Sequence, residues 1–98
     1  MRLSDGVWVG NVHTGSYAEQ GRRAAGALRG WSAGADVVLG GDFNVAPLSL
    51  EGFELAGGRG VDQVFVGGGL AGGGTRVLER GSLSDHAPVL VSVIKKGP

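Results

Sequence analysis

The chain has 98 residues, nine Lys or Arg against nine Asp or Glu, no cysteine and 21 glycines. That length allows one small domain or part of a larger one. The missing cysteine excludes disulfide scaffolds, thiolate zinc sites, iron–sulfur clusters and cysteine nucleophiles, and the neutral balance argues against a generic polyanion binder. No run approaches the ~18 apolar residues of a membrane span, and the opening MRLSDG lacks the apolar region of a secretory signal.

In chain order, Gly6–His13 reads as a strand apolar on both faces. Ser16 opens a helix, and Glu19 three residues later completes a capping box. Tyr17, Gly21, Ala24, Leu28 and Trp31 recur at helical spacing as one stripe, and Gly34 is the stop. Asp36–Leu39 is a second buried strand, Ser49–Leu55 a short helix or turn, and Val61–Val66 a third strand. Two glycine clusters, Gly67–Gly69 and Gly72–Gly74, read as a loop before strands at Thr75–Arg80 and Pro88–Ile94, the last with Val89, Val91 and Val93 on one face. The class is α/β (α+β): one mixed or antiparallel sheet with one main helix on a face. With 42% hydrophobic residues the chain reads as globular despite its glycine.

Charge is unevenly placed. Asp36, Asp42, Glu51, Glu54 and Asp62 face only Arg59 in the middle of the chain, an acidic centre of the kind a divalent cation needs. The polar residues of chemical interest sit at strand ends. His13 closes the first strand, Asp42 and Asn44 follow the second two residues apart, Asp62 opens the third, and Ser84, Asp85 and His86 precede the last. On an extended backbone Asp42 and Asn44 point to one side. Carboxylate and amide oxygens suit Mg2+ or Mn2+, and neighbouring histidines suit acid–base work or phosphate contact. The mixture points to metal-assisted hydrolysis of a phosphate ester. Each residue alone has an ordinary reading: a turn for Asp-Phe-Asn, a hydrogen-bonded core histidine for His13, a turn cap for Asp62.

Asn11-Val12-His13, Gly41-Asp42-Phe43-Asn44, Val61-Asp62 and Ser84-Asp85-His86-Ala87-Pro88, in that order, resemble the C-terminal half of the endonuclease/exonuclease/phosphatase family, which has the deoxyribonuclease I-like fold. The resemblance spans residues 6–98 as a partial domain and implies half of a four-layer α/β/β/α sandwich. It implies that Asp42 orients or deprotonates the attacking water or touches metal, and that Asn44 holds water and phosphate. Asp85 would ligate Mg2+ or Mn2+, Asp62 would orient a phosphate-binding His86, and His13 would contact phosphate on the leaving side. The substrate would be a nucleic acid or a small phosphorylated or lipid molecule. The family's first-strand Asn and its helix Glu have no counterpart here, so the isolated chain is expected to be weakly active or inactive, with a sheet face open to the missing half or to self-association. The alternative is a non-catalytic fragment or interaction module that keeps half the fold.

Other signals fail. Gly67-x-Gly69-x-x-Gly72 matches a dinucleotide fingerprint but no helix pattern follows. Adjacent Ser84, Asp85 and His86 cannot form a catalytic relay. Trp8 and Trp31 read as core and helix-packing residues.

Overall fold

The β-branched run at the start of the chain becomes strand β1, Trp8–His13, in a computed structural model that describes residues 6–15, 18–46, 48–78 and 89–96. Helix α1 spans Ala18–Ser32, followed by β2 at Val37–Asp42, β3 at Glu54–Arg59, β4 at Asp62–Gly67, β5 at Leu70–Val77 and β6 at Val89–Lys95. The first four strands form a mixed sheet in the order β1-β2-β4-β3, with β1 parallel to β2 and the other pairs antiparallel. β5 and β6 pair antiparallel as a second sheet. The domain is therefore α+β, with two sheets where the sequence suggested one. Among the described residues no helix is long and apolar enough to cross a membrane.

A parallel β1–β2 pair needs a crossover, and α1 supplies it while covering one sheet face. Leu39 of β2 lies opposite Phe65 of β4, both 1% exposed, and Val37, Phe43, Ala25, Leu28, Leu48 and Leu50 complete the buried cluster. Trp8 and Val12 pack against it. The Phe43 and Phe65 rings meet edge to face at 5.2 Å and 82°. Helix and sheet come close because Gly21 is bare: a Cβ there would press on Phe43 and Leu48 at 3.1 and 3.2 Å.

The buried face of α1 is Gly21, Ala25, Leu28 and Ser32, not the stripe through Ala24 and Trp31. One position along a helix is a turn of about 100°. The small Ala25 and Ser32 admit the close approach that an indole would block, so Trp31 is left 69% exposed. Tyr17 and the Ser16 cap lie outside the described residues. The helix ends near the expected stop, with Ala33 and Gly34 both at positive φ.

The segment expected as a short helix or turn contains a turn at Glu51–Gly52 and then β3. Its Ala-Gly-Gly stretch carries no strand signature, and β3 exists because β4 pairs with it across a bulge between Leu55 and Gly57. The bare Gly57 lets Thr75 and Val91 of the second sheet close in, and Gly58 N–H donates to Thr75 Oγ1 at 3.2 Å. For the same reason Gly72–Gly74 is not loop but part of β5, which starts earlier than Thr75. Val89, Val91 and Val93 share the less exposed face of β6, as expected.

At the far end, Asp36 fastens the two sheets. Gly69 N–H donates to Asp36 Oδ1 at 2.8 Å, and Lys95 Nζ lies 3.4 Å from Oδ2. Lys96 N–H donates to Gly69 O at 2.7 Å, and its Nζ lies 3.6 Å from Glu54 Oε2. The Gly69 N–H holds the Asp36 carboxyl below the usual carboxylate range against the opposing desolvation, and Lys95 adds to the lowering. A depressed folded-state pKa gives stability that is present above the unfolded value and lost as pH falls through the folded one.

Two outcomes are expected. Leu39→Ala, which opens a void against Phe65, should cost about 3 kcal/mol in urea unfolding. Asp36→Asn should lower the melting temperature at neutral pH, with the difference closing as pH drops below about 4; a difference constant with pH would remove the charge from the clasp.

Candidate functional site

Strand register alone builds a transverse row at one end of the four-stranded sheet. His13 is opposite Asp42, Asp42 opposite Asp62, and Asp62 opposite Arg59. Opposite residues share a face, and successive residues alternate. Leu39 faces α1, so Asp42, three residues on, faces away from the helix. The row runs imidazole, carboxylate, carboxylate, guanidinium. His13 Nε2 lies 3.7 Å from Asp42 Oδ2, with the imidazole 78% exposed and the carboxylate 18%. The reading of His13 as a core histidine is thereby set aside.

Asp42 and Asn44 come together by a turn, not by strand alternation. Asn44 has φ +53°, its N–H donates to Asp42 Oδ1 at 2.9 Å, and Phe43 between them is buried. Gly41 precedes them at φ +144°, and a Cβ there would run into Val12 O of β1, so the position admits only glycine.

Two supporting residues escaped the sequence reading. Thr14 touches every member of the Asp-Phe-Asn turn: its N–H donates to Asp42 O at 2.9 Å, its Oγ1 donates to Phe43 O at 2.6 Å, and its carbonyl accepts from Asn44 Nδ2. Gln63, 5% exposed, donates from Nε2 to Val45 O at 2.8 Å and holds the outgoing loop. Gln63 was findable as a polar residue at a helix-facing position of β4; Thr14 carries no signal beyond following a strand.

The structure therefore brings His13, Asp42, Asn44 and Asp62 to one place. Asp85 and His86, and with them the Asp62–His86 hydrogen bond, lie outside the described residues. β6 runs from the Asp62 end towards the clasp, because Val91 lies at Gly57 while Lys95 lies at Asp36. The strand that follows Ser84-Asp85-His86 thus begins at the end of the molecule where the row stands.

The donor types fit a hard cation. Like charges directly opposite on neighbouring strands are destabilising, and a divalent ion beside Asp42 and Asp62 would offset that. Their number falls short: among the described residues no three His, Asp or Glu side chains are grouped to hold a metal.

No protein-family model, curated protein or solved structure matches the chain.

If Thr14 secures the turn, Thr14→Val should lower stability by about 1 kcal/mol and shift the Asn44 backbone and side-chain amide signals in NMR, with Thr14→Ser restoring both. Unmoved Asn44 signals would separate the turn from Thr14.

Proposed function

We propose that the chain carries part of the site of a metal-dependent phosphoesterase, a nuclease or phosphatase using Mg2+ or Mn2+. The observation that carries this reading is the register row, which sets His13 beside Asp42 and Asp42 beside Asp62, with Asn44 tied to Asp42. In this reading the fold is the C-terminal half of a deoxyribonuclease I-like sandwich, as the motifs suggest.

The Asp42 carboxylate accepts a proton from the attacking water as the new P–O bond forms and the ester P–O bond breaks, its electron pair departing with the leaving oxygen, which then takes a proton from solvent. Its Oδ1 already accepts from Asn44 N–H, so the carboxylate is held in one orientation. Asn44 spends one side-chain N–H on Thr14 O, and the second remains for a phosphate oxygen. His13, exposed at the edge of the row, contacts phosphate on the leaving side. By the resemblance, Asp62 would orient His86, and Asp85 with Asp42 would hold the cation, which when bound would neutralise phosphate charge.

The isolated chain should be a weak catalyst, because the resembled family's Glu and first-strand Asn are not among these residues. A second reading, an interaction module, draws on Leu90 and Ile94, 55% and 54% exposed on the outer face of β6. Both readings allow self-association, so sedimentation serves to locate it: association abolished by Leu90→Ser with Ile94→Ser puts the contact on β6, and the module reading is supported when metal-dependent hydrolysis is absent as well.

The catalytic test is hydrolysis of an aryl phosphodiester across an Mg2+ or Mn2+ titration. Asp42→Asn should lower the metal-dependent rate about a hundredfold, and Mn2+ should broaden the Asp42, Asn44 and Asp62 amide signals of the wild type. A rate indifferent to Asp42→Asn, with no selective broadening, would overturn the reading.

A further inference from the structure

We infer that Gln63 is a positioning residue of the site, which fixes Asn44 against Asp62; its part in a reaction rests on the phosphoesterase reading of the row. The residues on either side of Asp62 hold the residues on either side of Asn44. Before Asp62, Val61 O accepts from Phe43 N–H at 2.9 Å. After it, Gln63 Nε2 donates to Val45 O at 2.8 Å and reaches Val61 O at 3.5 Å. Asp62 and Asn44 are thus the middle residues of Val61–Gln63 and Phe43–Val45, segments joined at both ends. The first joint is backbone to backbone. The second depends on the amide of one side chain.

Gln63 stands where an apolar residue would be easier to bury. It lies on the helix-facing side of β4, two residues before Phe65, and is 5% exposed. Both of its cross-strand partners, Gly41 on β2 and Gly58 on β3, are glycines. No partner side chain stands beside it, and the amide can reach the loop that leaves β2. A buried amide is stable where its hydrogens are bound. What this one binds is the chain just past Asn44.

Asn44 is also held from β1, by Thr14 O, and from β2, by Asp42 Oδ1. Neither contact refers to β4. Without Gln63 the chain past Asn44 loses its side-chain tie to β4. The phosphate-facing N–H of Asn44 then shifts relative to Asp62, while Asp42 stays in its ladder. A cation held at Asp42 is little affected, so the loss falls on turnover and not on the demand for metal. A buried amide that merely filled space would affect stability and leave turnover alone.

The experiment compares Gln63→Met, which keeps the length without a donor, with Gln63→His, whose ring N–H can donate to Val45 O. Both are followed by aryl phosphodiester hydrolysis and by NMR of the full chain. Gln63→Met should lower kcat about tenfold, leave KM and the half-saturating Mg2+ within about twofold, and shift the Asn44 and Val45 amide signals. Gln63→His should recover most of both effects. Val37→Ala, a core loss at the far end of β2, should leave kcat unchanged. In the wild type the Gln63 side-chain amide protons should exchange slowly with water, which tests the tether even where Gln63→Met does not fold. An unchanged kcat in Gln63→Met beside a lowered one in Asp42→Asn would overturn the proposal. So would an equal fall in Val37→Ala, unmoved Asn44 and Val45 signals, or freely exchanging Gln63 amide protons. The catalytic reading fails separately, by indifference of hydrolysis to Asp42→Asn, with the amide signals and their exchange still reporting the tether.

Discussion

Burial of one side chain, Phe43, governs both the core and the site. The ring is 1% exposed, wedged against Phe65 and the bare Gly21 of α1. With the residue between them fixed inward, Asp42 and Asn44 are forced outward, and the chain must turn at once. Thr14 then ties the turn to the end of β1 with three hydrogen bonds. The hydrophobic effect thus supplies the rigidity of a polar site that makes little apolar contact of its own.

The row derives its geometry from the sheet instead of from side-chain packing. Residues in register keep fixed separations because the ladder hydrogen bonds do, so His13, Asp42, Asp62 and Arg59 are spaced by the backbone. Side-chain freedom is then the main remaining variable, small for the 18% exposed Asp42 and larger for the 78% exposed His13. Such an arrangement gives a fixed carboxylate centre with adaptable margins. The Asp36 clasp lies at the opposite end, which leaves the row end free of that constraint.

Legibility followed the physics of each element. β1, β2, β4 and β6 announce themselves through β-branched runs, and α1 through its periodicity. β3 does not, because Leu55-Ala56-Gly57-Gly58 is strand by pairing and not by propensity. Trp31 misled the helix face, since hydrophobicity favours the large residue while the close helix–sheet contact selects Ala25 and Ser32. His13, Asp42 and Asp62 were readable as polar residues at strand ends. Asn44 was placed correctly for the wrong reason: a left-handed turn, and not extended alternation, carries it to Asp42. Thr14 acts through contacts some thirty residues away in sequence, which no local pattern encodes.

The order of strands in the sheet also orders its assembly. Arg59 and Asp62 are joined by the tight turn at Gly60–Val61, so that edge of the row belongs to a local hairpin, which forms on the microsecond scale. His13 and Asp42 meet only after α1 has brought β2 back beside β1, a non-local pairing with a larger loop-closure cost. β2 is the strand common to both halves, flanked by β1 and β4. Asp42 and Asp62 therefore come into register only when β2 pairs with β4, so the centre of the row is completed at the step that closes the sheet.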